Sequence, residues 1–328
     1  MSTKLPLTLA CGDYEITRPL ADGSVTADGI ELTVLTRMGS RERHTRMARH
    51  GEFDICEFNA TTWMMMAERG GPLAALPVFL HRRFRHGFAF INTGAGIRTP
   101  ADLVGRRIGV GSLQAAGNVW VSGILDEFHG IAPDAVTWVV DREEDLPFTP
   151  RPDMKIEHIS GDRPLDGMLA DGEIDALISP AFPRPFLKRD RRVARLFPDF
   201  RDRELAYFHD TGIFPIMHAT TIRREIVERH PWVAGSLMRA FDEAKQVAYQ
   251  RVRNPRVVPL AWFASAWEEQ AEILGDDPWE YGLGAANRRN LETLARYVHR
   301  QGLTSRQMTP DELFVDCGDD ARSDPTRY

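Results

Sequence analysis

Carboxylate, guanidinium, amide and imidazole side chains follow apolar runs of this sequence, at the points where buried strands are predicted to end. They are Asp13, Tyr14, Arg18, Glu57, Arg82, Arg85, His86, Ser112, Gln114 and His218. Carboxylates and imidazoles transfer protons, and guanidinium groups bind carboxylates through paired hydrogen bonds. Ligands of open α/β sheets bind beyond the carboxyl ends of the strands, so these loops are predicted to converge on one site.

Each of these residues also has a purely structural interpretation. Arg82 and Arg85 are compatible with ordinary surface charges, and Glu57 with an ion-pair partner. His218, taken alone, is better explained as a core histidine whose hydrogen bonds are satisfied. The prediction of a site therefore depends on the whole set and not on any single member.

The familiar catalytic and nucleotide-binding motifs are missing from the sequence. It contains no glycine-rich nucleotide loop, no Gly-x-Ser-x-Gly elbow and no His-Glu-x-x-His. The Arg-Ile-Gly-Val-Gly run at 107–111 lacks the third glycine of a dinucleotide-binding fingerprint. The motif-based routes to a dehydrogenase, a serine hydrolase or a zinc peptidase are therefore closed.

One short phrase occurs twice, as Met-Ala-Arg-His-Gly-Glu-Phe-Asp-Ile at 47–55 and as Met-Leu-Ala-Asp-Gly-Glu-Ile-Asp-Ala at 168–176. In each copy the glycine can adopt the left-handed conformation that ends a helix, and an apolar strand follows. A helix-turn-strand unit at two separated places predicts an α/β fold with two lobes and a ligand cleft between them. A chance likeness between common helix-to-strand loops is the alternative.

Two glycine-containing segments, at 93–96 and 211–218, are predicted to connect the lobes. They assign residues 1–93 and 212–317 to lobe one, and residues 94–211 to an inserted lobe two. Residues 141–163 are polar and proline-containing, which predicts a surface loop. The charged stretch 318–328 is predicted to be a disordered tail.

Composition limits the partners and the compartment. The net charge of −6 argues against nucleic acid as a partner, and no apolar run approaches the length of a membrane span. Cys11, Cys56 and Cys317 are odd in number and lack metal-type spacing, which predicts free thiols in a cytoplasmic protein. The N-terminal apolar stretch is short and is interrupted by Pro6, so we interpret it as a strand and not as an export signal.

Several motifs resemble one known family over nearly the whole chain. They are Cys-Gly-Asp-Tyr at 11–14, Arg-x-Phe-Arg-His at 82–86, Gly-Glu-Ile-Asp-Ala-Leu-Ile-Ser-Pro at 172–180, Thr-Gly-Ile-Phe-Pro-Ile-Met-His at 211–218 and Tyr-Gly-Leu at 281–283. These motifs resemble the 4,5-dihydroxyphthalate decarboxylases, which in turn resemble type II periplasmic solute-binding proteins. The resemblance implies a two-lobed fold of that type.

The sequence departs from the family pattern on the lobe-two side of the expected cleft. Where the family typically has Pro-Glu-Tyr-Gln-Met-Thr, this chain has Gly-Ser-Leu-Gln-Ala-Ala at 111–116, and Gly87 replaces the usual serine. These changes remove polar groups and volume. We therefore expect poor turnover of 4,5-dihydroxyphthalate and a preference for a substrate that is bulkier or less polar beside Leu113 and Ala115.

The resemblance implies a cofactor-independent decarboxylase that acts on a small hydroxylated aromatic acid. It implies His86 as the first candidate for the proton donor and His218 as the second, with Arg82 and Arg85 on the retained carboxylate. Further substrate contacts are expected from Arg18, Ser112 and Gln114, and the groups that could polarise a phenolic hydroxyl are Asp13, Tyr14 and Glu57.

Two other functions stay open at this stage. The first is a cytoplasmic solute-binding protein that takes a small acid without chemistry, and the second is an enzyme of the same fold with different, metal-assisted chemistry. No residue is assigned as a metal ligand, although a divalent ion at Glu57 and the histidines is compatible with the sequence. A homo-oligomer is equally compatible with it.

Overall fold

The computed structural model describes residues 4–160 and 163–318. Within them the strands are β1 (Leu5–Ala10), β2 (Ile30–Leu35), β3 (Ile55–Asn59), β4 (Leu73–Leu76), β5 (Ala89–Asn92), β6 (Arg107–Val110), β7 (Thr137–Val140), β8 (Lys155–His158), β9 (Ala176–Ile178), β10 (Val193–Arg195) and β11 (His218–Arg223). The predicted tail lies outside the described residues from position 319 onward.

The described residues also form helices, several of which pack against strands of the two sheets. They are α1 (Arg18–Ala21), α2 (Ser40–His50), α3 (Ala60–Glu68), α4 (Ala116–His129), α5 (Leu165–Asp171), α6 (Arg184–Leu187), α7 (Phe200–Thr211), α8 (Arg224–Arg229), α9 (Trp232–Val252), α10 (Phe263–Leu274), α11 (Ala285–Arg300) and α12 (Pro310–Leu313). Short 3-10 turns cover His86–Phe88, Thr93–Ala95, Pro100–Leu103 and Pro133–Ala135. Among the residues described, no helix is both long and apolar enough to cross a bilayer.

The first sheet has the order β2-β1-β3-β11-β4. β1 is parallel to β2 and β3, whereas β11 runs antiparallel to β3 and β4. The carboxyl ends of β1 and β3 and the first residue of β11 therefore lie at the same edge of this sheet. Residues 5–76 build four of its strands and a distant segment adds β11.

The second sheet has the order β10-β5-β9-β6-β7-β8. It includes β5, which pairs antiparallel with β9 and β10. Residues 1–93 were predicted to belong to lobe one. Ala89–Asn92 belongs to the second sheet instead, so the predicted boundary lies too far along the chain by this strand. All four β5 residues are buried, and the sheet that they complete is the second one.

Both copies of the repeated phrase form the predicted turn. α2 ends at Gly51 with φ 55°, and α5 ends at Gly172 with φ 77°, after which β3 and β9 begin. Left-handed backbone at the residue after a helix favours glycine, which explains why each phrase keeps one. The two turns place β3 in the first sheet and β9 in the second.

Helix α4 of lobe two packs against lobe one. Trp120 donates its indole N–H to the carbonyl of Ile216 at 2.8 Å, and its ring meets Tyr297 edge-on at 5.6 Å. A Cβ on Gly123 would lie 2.2 Å from the Tyr297 ring, so this close approach requires glycine. One hydrophobic core thus includes residues of both lobes.

Candidate active site

The carboxylate of Glu57 is the centre of the best-connected polar cluster at the edge of the first sheet. Its Oε2 accepts hydrogen bonds from the backbone N–H of Gly12 at 2.8 Å and from Arg43 Nη2 at 2.6 Å. Its Oε1 accepts from the Tyr14 hydroxyl at 2.9 Å and lies 2.5 Å from His218 Nδ1. Glu57 is fully buried, so every one of these donors compensates for lost water.

The first sheet brings these residues together from three distant parts of the chain. Tyr14 follows β1, Glu57 lies within β3, and His218 begins β11. The Tyr14 ring lies directly against Gly12, where a Cβ would be only 2.2 Å from the ring carbon Cζ. Glycine at position 12 therefore allows the Tyr14 hydroxyl to reach Glu57.

Arg43 neutralises the buried carboxylate from helix α2. Its Nε donates to the Glu57 carbonyl at 3.2 Å and its Nη1 to the Met38 carbonyl at 3.3 Å, and the side chain is 1% exposed. Burial alone would raise the pKa of Glu57, but the charges of His218 and Arg43 hold that pKa well below its usual range. Glu57 is therefore ionised.

Two further histidines contact His218. The rings of His44 and His81 each lie 4.7 Å from the His218 ring in edge-on geometry. His44 Nε2 and His81 Nδ1 are buried without a hydrogen-bond partner. Burial and the neighbouring His218 lower the pKa of both rings, well below the ordinary value for His44 and to about 2 for His81. Both rings are therefore neutral near pH 7.

Arg85 is a buried cation beside this row of imidazoles. It is 4% exposed, and its Nε and Nη2 lie 3.0 and 2.8 Å from the sulfur of Met217, the residue before His218. A Cβ on Gly117 of α4 would lie 2.9 Å from the guanidinium carbon. Burial lowers the pKa of Arg85 to about 9. No carboxylate of the described residues forms an ion pair with it, so its donors suit an incoming anion.

The other two predicted arginines lie elsewhere. Arg82 donates from Nη2 to the Glu280 carbonyl at 3.0 Å and to the amide oxygen of Asn287. Arg18 is partly exposed and pairs with Glu15 at 3.1 Å. Arg82 thus binds the backbone at Glu280 and the amide of Asn287, and among the described residues neither arginine forms a hydrogen bond or an ion pair with Glu57. Asp13, the neighbour of Tyr14 in the chain, is exposed.

His86, the first candidate for the proton donor, is not part of this cluster. Its ring meets Phe197 at 5.4 Å and Tyr207 at 5.5 Å, and its Nδ1 lies 4.0 Å from the Glu204 carboxylate. Burial lowers the pKa of His86 to about 4, so the ring is neutral near pH 7. A 3-10 turn over His86–Phe88 follows Arg85, and the two neighbouring side chains are both buried but contact different residues.

Ser112 and Gln114 are buried, and their side chains bind another loop of lobe two. Ser112 Oγ donates to Glu144 at 2.5 Å, and Gln114 Nε2 donates to the Leu146 carbonyl at 2.5 Å. Leu113 packs in the core of lobe two. Leu113 is therefore not free to contact a ligand in this conformation, whereas Ala115 is partly exposed. Poor turnover of 4,5-dihydroxyphthalate stays a prediction.

Comparison with known proteins decides the family. A 4,5-dihydroxyphthalate decarboxylase from Comamonas testosteroni is 34% identical over 321 residues, which cover 95% of this chain and 97% of that protein. A protein of the same name from Pseudomonas putida is 37% identical over 203 residues, 60% of this chain and 78% of that one. The chain belongs to the 4,5-dihydroxyphthalate decarboxylase family. The resemblance seen in the sequence is thus confirmed.

The fold of this family member is that of two-lobed periplasmic binding proteins, as the resemblance implied. A periplasmic sulfonate-binding protein from Methylobacillus flagellatus superposes with a TM-score of 0.56, covering 96% of this chain and 92% of its own, at 12% identity. Residues 25–147 match the NMT1/THI5-like family. At this level of identity the structural likeness shows the fold alone.

Three donors of the cluster could hold a divalent cation. Ligand atoms of Glu57, His81 and His218 lie within 4.8 Å of one another. Imidazole and carboxylate together suit several first-row metals. However, Arg43 already neutralises Glu57, and the positive charge of Arg85 contributes to the lowered pKa of His81. These fixed positive charges favour an anionic ligand over an added cation.

Arg43, His44 and His81 were not predicted as site residues from the sequence. Met47 is buried, and it follows Arg43 by four positions and His44 by three, which places all three side chains on one face of α2. That spacing was the available signal, but the high charge of the helix concealed it. His81 directly precedes the Arg-x-Phe-Arg-His motif at 82–86 and was not singled out.

Proposed function

We propose that this member of the family is a decarboxylase of a small hydroxylated aromatic acid, which binds between the lobes. The observation that supports this most strongly is the 2.5 Å contact between His218 Nδ1 and the buried, ionised Glu57. A carboxylate that fixes one imidazole nitrogen leaves the other nitrogen to exchange a proton with substrate.

The reaction needs one proton and no oxidant. In the proposed path the ring carbon that bears the leaving carboxylate takes the proton, which forms a C–H bond and a ring cation stabilised by the phenolic oxygen. The bond to the carboxylate then breaks, its electron pair restores aromaticity, and carbon dioxide leaves. A positioned acid supplies about 10²–10⁴-fold in such a step.

His218 is the proton donor in this proposal. Glu57 holds its Nδ1 and stabilises the imidazolium form, while His44 and His81, neutral because of burial, do not compete as acids. Arg85 binds the carboxylate that is retained, because the Met217 sulfur is the only acceptor that its donors have among the described residues. Asp13 stays a candidate acceptor for the phenolic hydroxyl.

The test is carbon dioxide release from 4,5-dihydroxyphthalate, 3,4-dihydroxybenzoate and monohydroxylated phthalates. We expect release from at least one of them at a kcat/KM of about 10⁴ M⁻¹s⁻¹ or more, the lower range of ordinary enzymes. We also propose that no organic cofactor or metal is needed, so dialysis against a chelator should leave the rate unchanged. Tight binding without release from any of these acids would instead support a solute-binding protein.

The proposed compartment is the cytoplasm. Cys11, Cys56 and Cys317 are free thiols in the structure, and Cys11 and Cys56 are buried. Buried thiols that never pair are typical of reducing compartments. Fractionation of cells that produce the untagged protein would test this, and recovery of the protein in the periplasmic fraction would contradict it.

A further inference from the structure

Asn59 is a buried side chain of lobe one that caps helices in both lobes. It ends β3, and its Oδ1 accepts from the backbone N–H of Thr61 at 3.2 Å, which is an ordinary cap for α3. The same oxygen accepts from the backbone N–H of Ala116, the first residue of α4, at 3.3 Å. The residue before α4 is Ala115, which has no polar side chain, so the cap of this lobe-two helix comes from lobe one.

Two further hydrogen bonds hold the chain just before α4. Asn59 Nδ2 donates to the Gln114 carbonyl at 3.0 Å, and the Thr61 hydroxyl donates to the same carbonyl. Asn59, Thr61 and Gln114 are all buried. Hydrogen bonds are directional, and breaking a buried one leaves its partners without water, so these bonds fix the start of α4 relative to β3.

Asn59 lies beside the proton donor of the proposed reaction. It pairs with His218 across β3 and β11, and it follows Glu57 by two positions. Paired residues of neighbouring strands, and residues two apart along one strand, point to the same face of a sheet. Asn59, Glu57 and His218 therefore share one face, and the hydrogen bonds of Asn59 lead from that face to lobe two.

The start of α4 lies against Arg85. A Cβ on Gly117, the second residue of α4, would lie 2.9 Å from the guanidinium carbon. Arg85 also contacts the sulfur of Met217, the residue before His218. These contacts form a closed ring from His218 through Asn59, α4 and Arg85 to Met217. A methionine side chain adapts easily, so the backbone that Asn59 holds is the stiffer part of this ring.

We propose that Asn59 is a positioning residue for the reaction, because it holds the start of α4 where Arg85 lies at a fixed distance from His218. The inference rests on the proposed function, which assigns the retained carboxylate to Arg85 and the proton to His218. Misplacing reacting groups by about 1 Å can cost about 10²-fold in rate. A residue that sets their spacing therefore affects the reaction without touching the substrate.

Benzoate binding tests this role without turnover, since benzoate has no hydroxyl group to support decarboxylation. Calorimetry measures benzoate affinity for wild type, Asn59→Ala, Arg85→Lys and the double variant. The flexible ammonium of Arg85→Lys does not depend on packing against α4. We expect Asn59→Ala to weaken binding about 3- to 10-fold in wild type and by less than about twofold in Arg85→Lys. Equal losses in both backgrounds, no loss in either, or no benzoate binding by wild type would each overturn the role.

Two control variants separate positioning from loss of stability. Asn59→Ala also removes the cap of α3, so Thr61→Val is the second variant, which removes a hydrogen bond to Gln114 and keeps Asn59. It should show the same dependence on Arg85 with a smaller loss. Thr309→Ala removes the cap of α12 within lobe one and should keep benzoate affinity within about twofold. A loss as large as that of Asn59→Ala would assign the effect to stability and overturn the role.

Turnover extends the test to the reaction itself. On a substrate whose carbon dioxide release is established, Asn59→Ala should lower kcat about 10- to 100-fold, and an unchanged kcat would overturn the role in the reaction. A wild-type protein that releases no carbon dioxide, but whose benzoate affinity depends on Asn59 only when Arg85 is present, would refute the proposed function and support the placement of Arg85 by Asn59.

Discussion

Each lobe has a carboxylate near its strand ends that accepts several hydrogen bonds, Glu57 in lobe one and Glu144 in lobe two, and the two differ in the groups that donate to them. Glu57 of lobe one is fully buried, is neutralised by Arg43 and contacts an imidazole at 2.5 Å. Glu144 of lobe two is half-buried and accepts from Ser112 Oγ and from the backbone N–H groups of Leu113 and Gln114.

The difference indicates separate roles. A carboxylate bound by a guanidinium and an imidazole can stabilise a charged histidine during a proton transfer. The Glu144 carboxylate is bound by a hydroxyl and by backbone N–H groups just before helix α4, and no titratable side chain of the described residues donates to it. Its role is therefore to hold its loop in place. We therefore expect changes at Glu57 to affect catalysis and stability, and changes at Glu144 to affect binding.

Glu57→Gln should have the largest effect. Glutamine cannot neutralise Arg43, which is 1% exposed, so the variant leaves a buried guanidinium uncompensated. We expect the free energy of unfolding to fall by about 3–5 kcal/mol and kcat to fall by about 10²–10⁴. Denaturant titration and steady-state rates measure the two effects. A stable, active Glu57→Gln enzyme would show that the cluster is dispensable.

Lowering the pH should lower the free energy of unfolding, and the contribution of His81 to this loss can be measured. The pKa of His81 is about 2 in the folded protein and near 6.5 when unfolded, so the unfolded state binds more protons between these values. Stability is therefore lost as pH falls below about 6.5, by up to about 1.4 kcal/mol per pH unit for this ring. The free energy of unfolding, measured by urea titration at pH 7.5, 6 and 5, should fall less steeply with pH for His81→Asn than for wild type. Equal slopes would contradict neutral burial of His81.

Gly12→Ala tests the lobe-one cluster without touching a charge. The added Cβ would lie 2.2 Å from Tyr14 Cζ, so the ring must move and its hydroxyl must leave Glu57. We expect kcat to fall by about 10-fold, the equivalent of one hydrogen bond to a charged group. Tyr14→Phe is the matched control, since it removes the same bond without a clash. Rates that differ widely between the two variants would assign the effect to backbone strain.

Glu144→Gln should have the smallest effect. Glutamine keeps an oxygen acceptor for Leu113 and Ser112 but loses the negative charge, so the hydrogen bonds that join residue 144 to the 112–114 segment should be weaker. We expect KM to rise about 3- to 10-fold, kcat to stay within about twofold, and stability to fall by about 1 kcal/mol. A loss of kcat as large as that of Glu57→Gln would remove the distinction between the two carboxylates.

The sequence predicted the parts of the site that short-range patterns determine. The glycines at 51 and 172 indicated helix ends, and apolar runs placed Tyr14, Glu57 and His218 at predicted strand ends. That the three share the edge of one sheet is known only from the fold. These features depend on neighbouring residues, so one chain is enough to recognise them.

Long-range pairing could not be read in the same way. Ala89–Asn92 has no local feature that assigns it to the second sheet, because its partners lie about 85 to 105 residues downstream. Likewise, Arg85 and His86 are neighbours in sequence but point to different surroundings. The burial of Arg43 depends on Glu57, which only the folded sheet brings within reach.

The most direct test compares His218→Asn with His86→Asn on a substrate whose carbon dioxide release has been established. If His218 donates the proton, His218→Asn should lower kcat by about 10²–10⁴ with KM within a few fold, whereas His86→Asn should keep kcat within a few fold. A His218→Asn enzyme that releases carbon dioxide at the wild-type rate, or a His86→Asn enzyme that does not, would contradict the assignment of the proton donor to the Glu57 cluster.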